Sequence, residues 1–147
     1  MAYTNFVEIE SSADNRQAMV NEVSRDNGKG GTADANNREY GGSIQNGSVV
    51  VAEPGAVSNP AVQENASILL PAGVPTFHSH PSGTRSEAVK DGTRNSWFNQ
   101  PPSPADKNSS GARMEYVFGR SNGKVYIYNS NGVQAVMPMK YFVNPKR

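Results

Sequence analysis

The chain has 147 residues, 35% of them hydrophobic, with 14 Gly and 10 Pro, a balance that predicts one domain over 1–147 with a modest core and many loops. A formal net charge of +1 gives no electrostatic footing for a nucleic acid or another polyanion, and with no apolar run of about 18 residues no membrane span is expected. Cysteine is absent, which excludes disulfides, thiolate zinc sites and a cysteine nucleophile together.

Met1 to Phe6 lacks the basic-then-apolar pattern of a signal peptide, leaving the cytoplasm as the default compartment. Phe6, Val7 and Ile9 come next, and then Ser11 or Ser12 as N-cap of a polar helix with Ala13, Met19, Val20 and Val23 near helical spacing. Asn27-Gly28 is expected to end that helix, glycine being favoured just past a C-terminus. Residues 28–37, rich in Gly and Asn, read as a flexible connector leading to Glu39.

Ser43-Ile44, Asn46-Gly47 and Ser48-Val49-Val50-Val51 predict a hairpin, since Asn-Gly supplies the two positive-φ positions of a tight turn. Pro60 to Asn65 allows one helical turn with proline near its start. Ile68-Leu69-Leu70 is apolar, Pro71-Ala72-Gly73 turns, and Val74-Pro75-Thr76-Phe77 runs into His78-Ser79-His80-Pro81. The histidines are expected at a strand's C-terminal end, where a sheet edge opens to solvent. Pro81 to Pro102 is polar apart from Ala88, Val89, Trp97 and Phe98. It must leave and return before Ser103-Pro104-Ala105-Asp106. Beyond the polar stretch Lys107 to Gly111, two Asn-Gly turns at 122–123 and 131–132 join three strands into an antiparallel meander. Pro138 closes it, and Lys140-Tyr141-Phe142-Val143 reads as a short tail.

His78 and His80 are the only histidines. On an extended segment, residues two apart share a face, so both imidazoles can aim at one ion. Neutral imidazole is the commonest zinc ligand, and a catalytic zinc takes three protein ligands with its fourth position left to water. A carboxylate is then wanted, and Asp106 is the best placed. The plainer readings are two polar loop residues or a histidine that satisfies a core hydrogen bond, and Asp106 as a helix N-cap.

The sequence His78-Ser79-His80-Pro81 with Ser103-Pro104-Ala105-Asp106 resembles the signature of the JAMM (JAB/MPN) metallopeptidases. Glu39-Tyr40-Gly41-Gly42, 39 residues before His78, is similar to that family's glutamate ahead of a Gly-rich strand start. The resemblance covers roughly Glu39 to Tyr128. It implies His78, His80 and Asp106 as Zn²⁺ ligands, Glu39 as general base and Ser103 as a donor to the tetrahedral intermediate. Glu53, 25 residues before His78, is the rival base, and Pro102-Ser103-Pro104 has a plainer reading as a turn. One departure stands out: Ser103 follows His80 by 23 residues, where the family has a short spacer. Each doubling of a loop costs only about 0.6 kcal/mol in closure entropy, so the match is strained but not broken.

The resemblance implies an α+β fold of MPN (cytidine-deaminase-like) type, a twisted, mostly antiparallel sheet with one or two packed helices. It implies a zinc-dependent hydrolase of peptide or isopeptide bonds acting on a peptide or protein, ubiquitin-like conjugates being among the family's substrates. Trp97 and Phe98 either clamp a substrate chain beside the site or pin the insertion onto the domain. Two other readings use the same residues: a non-catalytic MPN-type scaffold, and an effector or toxin domain of a larger secreted protein.

Overall fold

The computed structural model describes residues 11–62, 66–111 and 113–145. Phe6, Val7 and Ile9 lie outside them, as do the last residues of the helical turn expected near Pro60. What is described of that turn, Pro60–Val62, is a 3₁₀ turn.

Helix α1 (Ala13–Val23) starts at Ser12, whose side chain accepts a hydrogen bond from the Asn15 N–H at 3.2 Å. Met19 and Val23 are fully buried. The helix stops at Val23 rather than at Asn27-Gly28, because Asp26 turns away to other partners. Its carboxylate accepts from Gly28 N at 2.9 Å and Ser82 N at 2.8 Å. Residues 28–37 are no free connector either. Asn36 donates through Nδ2 to Asn27 Oδ1 at 2.9 Å and Gly30 O at 3.0 Å, and Asn37 donates to Ala33 O at 2.8 Å and Gly31 O at 3.1 Å. Side-chain amides replace the backbone partners that a loop of this composition lacks.

Strands β1 (Gly41–Gln45) and β2 (Ser48–Val51) form the expected hairpin, with Asn46 at φ 53° and Gly47 at φ 79°. β3 (Thr76–His80) pairs antiparallel with β1, and Gly41 faces His78. A Cβ on Gly41 would strike the Phe77 carbonyl oxygen, and one on Gly42 the Val50 carbonyl oxygen. The paired glycines therefore let β1 lie close between its neighbours.

The 81–102 insertion folds into a hairpin of its own, β4 (Thr84–Val89) and β5 (Gly92–Trp97), forming a separate two-stranded sheet. Helix α2 (Pro104–Ser110) follows, then β6 (Glu115–Gly119), β7 (Lys124–Asn129) and β8 (Gly132–Pro138) as the expected meander. β6 runs parallel to β3, giving a mixed, mostly antiparallel sheet in the order β2-β1-β3-β6-β7-β8. The architecture is α+β. β3 is an interior strand with the histidines at its C-terminal end, as expected, although both are buried rather than open to solvent. The 140–143 tail is also corrected: helix α3 (Met139–Val143) buries Phe142 completely.

The two faces of the sheet differ. One carries the main core of Met19, Val23, Phe77, Tyr116, Phe118, Ile127 and Phe142, with Phe118 and Phe142 packed edge to face at 5.5 Å between centroids. Side chains alternate along β3, so Phe77 in this core sends Thr76, His78 and His80 to the opposite face. That second face has a small apolar cluster of Val117, Tyr126 and Tyr128. No helix among the described residues is long and apolar enough to cross a membrane.

Candidate metal centre

Register places the first part of the site. Gly41 opposite His78 in an antiparallel pair carries Glu39 toward His80 by simple continuation of the ladder. The Ser79 N–H donates to Tyr40 O at 2.8 Å, and the Tyr40 N–H donates to Ser79 Oγ at 3.0 Å, locking that register just short of Glu39. Glu39 Oε2 lies 4.0 Å from His80 Nε2. Glu39, His78 and His80 are all buried, and one ligand atom from each lies within 4.8 Å of the other two, a group that could hold a metal ion.

Helix α2 brings the second part. Ser103 is its N-cap and Asp106 its third residue, in a reciprocal capping box: Ser103 Oγ accepts from Asp106 N at 3.0 Å, and Asp106 Oδ2 accepts from Ser103 N at 2.9 Å. The capping residue is thus Ser103, not Asp106. The box fixes the Asp106 side chain where Oδ1 is 3.3 Å from His78 Nε2 and Oδ2 is 3.3 Å from His80 Nε2. Ser103 Oγ, used as an acceptor by the helix, keeps its own O–H to donate.

The insertion supplies the third part, which sequence reasoning missed. Its return arm carries Gln100, whose backbone oxygen is 2.8 Å from His80 Nδ1. A carbonyl only accepts, so Nδ1 carries a proton toward it. The Gln100 side chain holds that arm in place: Nε2 donates to Pro81 O at 3.0 Å and Phe98 O at 2.9 Å, while Oε1 accepts from Ser121 N at 2.9 Å. His78 Nδ1 is buried and finds no such partner among the described residues.

Burial sets the protonation of the group. The Glu39 carboxyl is pushed up to about 9, by loss of solvent first and by the Asp106 charge second. Burial likewise lowers His78, with the neighbouring His80 adding to the effect and Asp106 opposing it, so a neutral imidazole is favoured. Burial pushes Asp106 up, but the hydrogen bonds from His78 and His80 and from the Ser103 N–H outweigh it, holding the carboxylate well below its usual range. One ionised carboxylate thus sits beside neutral imidazole and a glutamate kept protonated.

These side chains open onto a cleft of about 1150 Å³. Trp97 and Phe98 part company there: Phe98 is buried at the root of the hairpin, whereas Trp97 is 66% exposed on the cleft wall. Leu69, 92% exposed, also lines it. Glu53 is exposed beyond β2 and does not line the cleft.

Beside the ligand group lies a polar row that the sequence did not single out. Glu115 is buried and accepts from Thr76 N at 3.0 Å and Thr76 Oγ1 at 3.1 Å, with Arg113 Nε 3.7 Å away. Tyr128 pairs with Glu115 across β6 and β7. A polar residue opening the apolar run Tyr116-Val117-Phe118 was the available signal for Glu115. Gln100 offered none, because its role depends on where the insertion returns. Comparison with models of protein families, with curated proteins and with solved structures found no match.

Proposed function

We propose that this chain is a zinc-dependent hydrolase of peptide or isopeptide bonds, of the JAMM type that its motifs resemble. The observation that carries the reading is the spanning of both imidazoles by one carboxylate, at 3.3 Å to each Nε2. Oδ1 faces His78 and Oδ2 faces His80, so the carboxylate lies against both nitrogens that a zinc ion would need. Two nitrogens and a carboxylate, with no sulfur, make the ligand set typical of a catalytic zinc. His78, His80 and Asp106 would hold the ion, and zinc, when bound, supplies Lewis acidity that polarises a carbonyl and brings the pKa of water toward 7.

The chain's own residues do the rest. Glu39, close to His80 but bonded to neither histidine, takes the proton of the attacking water and passes it to the leaving amine. A divalent cation nearby favours its ionised form, opposing the burial that otherwise keeps it protonated. Ser103, with a free O–H at the start of α2, donates to the oxygen on which negative charge develops. The Gln100 carbonyl orients His80, the usual task of a partner behind a metal-binding imidazole. Trp97 and Leu69 give the cleft an apolar wall against which an extended chain can lie.

The test is cleavage of a peptide mixture, read by mass spectrometry, by zinc-loaded wild type and by Glu39→Gln. Cleavage by the wild type that disappears in the variant, with zinc content unchanged, is the predicted result. A wild type that holds zinc yet cuts no peptide and no lysine-linked isopeptide contradicts the proposal.

A further inference from the structure

Resting on the hydrolase reading, we propose that Tyr128 is a second hydrogen-bond donor of the site, its hydroxyl binding the substrate oxygen on which charge develops. Core-facing Ile127 alternates with Tyr126 and Tyr128, which face the cleft side of the sheet. The pairings Phe77 with Tyr116 and Glu115 with Tyr128 put Thr76, Glu115 and Tyr128 side by side across β3, β6 and β7. This row lies one two-residue step along the strands from His78, and Tyr128 stands two strands over, about 10 Å across the sheet. Helix α2, which carries Ser103 and Asp106, packs against β7.

Among the described residues the Tyr128 hydroxyl has no internal task. The residue is 2% exposed and lines the same cleft as Glu39, His78, His80 and Asp106. Buried phenols usually find a partner. Yet among the described residues the Tyr128 hydroxyl makes no hydrogen bond, in contrast to Tyr126, whose oxygen accepts from Asn122 Nδ2 at 2.8 Å. The hydroxyl is therefore reached from the cleft, where a ligand acceptor can meet it. Burial, reinforced by the charges of Asp106, Glu115 and Glu39, raises the phenol's pKa, so it stays a donor. The ionised Asp106 carboxylate repels an anion alone. With a divalent cation on the ligand group, an oxygen carrying partial charge beside the metal becomes the acceptor that fits both.

The probe is acetohydroxamate, a small metal-binding acid with acceptor oxygens, titrated calorimetrically into zinc-loaded wild type and Tyr128→Phe. The variant keeps the ring and loses only a hydroxyl that has no partner among the described residues, so its zinc content and melting temperature should match the wild type. Affinity for acetohydroxamate is expected to fall about 10- to 100-fold, the effect of losing a hydrogen bond to a charged group. On a cleaved peptide, kcat should fall with little change in KM. Equal affinity in the two proteins overturns the proposal. Should Tyr128→Phe not fold, Tyr128→Met, which also fills the volume without a donor, carries the same comparison. A wild type that takes up no zinc overturns this role and the hydrolase reading together. A zinc-loaded wild type that binds acetohydroxamate more tightly than the variant, yet cleaves no amide, upholds Tyr128 as a donor and contradicts only the hydrolase reading.

Discussion

Asp106 and His80 meet because a capping box and a strand end converge: the same Oδ2 that accepts from the Ser103 N–H lies 3.3 Å from His80 Nε2. One carboxylate therefore starts a helix and faces both imidazoles. Asp106→Asn separates the two tasks, since the amide oxygen can still accept from Ser103 while the ligand charge is gone. Stability should change by less than about 1 kcal/mol, the scale of a single capping interaction. Zinc affinity, measured by competition with a chelator, should fall by more than the roughly 10- to 100-fold typical of losing an outer partner. Unchanged affinity would remove Asp106 from the ligand set.

Glu39 carries a prediction about stability that is independent of catalysis. Its folded pKa of about 9 lies above the ordinary 4.5, so between those values the folded state holds the extra proton. Stability from this group is then present below about pH 4.5 and is lost as pH rises toward 9. Glu39→Gln cannot ionise. In a chelator, urea melts should show the variant more stable than wild type at pH 8, by of the order of a few kcal/mol, with the gap closing near pH 5. A gap independent of pH would contradict a protonated, buried Glu39.

Gln100 should matter to a histidine that its side chain never touches. Gln100→Ala removes three hydrogen bonds that hold the return arm, and with them the fixed position of the carbonyl facing His80 Nδ1. A stability loss of about 1–3 kcal/mol is expected, accompanied by weaker zinc binding. A variant with reduced stability but wild-type zinc affinity would confine Gln100 to a structural role.

The adjacent aromatics should behave in opposite ways. Phe98→Ala empties a buried position and should cost about 3–5 kcal/mol. Trp97→Ala, at a 66% exposed position, should stay within about 0.5 kcal/mol of wild type. If the cleft wall contributes to binding, its KM for a peptide should rise. Equal stability losses for the two would show that Trp97 also anchors the hairpin.

Local chemistry made much of the fold legible. Asn46-Gly47 dictates its own turn, the alternation of Thr76 to His80 sends both imidazoles one way, and Gly41-Gly42 marks where strands crowd. What stayed hidden depended on distant partners. Asp26 ends α1 early because Ser82 attracts its carboxylate, and Asn36 and Asn37 immobilise a stretch whose composition suggests freedom. Phe142 is core because the meander returns beneath it. In the site, Glu39, His78, His80, Ser103 and Asp106 were readable as residue types at suggestive positions. Gln100, Glu115 and Tyr128 were not, because each acquires its role only through an insertion's return path or a cross-strand pair.

The most direct measurement is zinc content after reconstitution and dialysis, by plasma mass spectrometry, for wild type and for His78→Ala, His80→Ala and Asp106→Ala. A wild type retaining about one zinc per chain, and three folded variants that retain almost none, is the predicted result. A wild type that emerges without zinc, or variants that keep it at the wild-type level, would contradict a metal held by these three side chains.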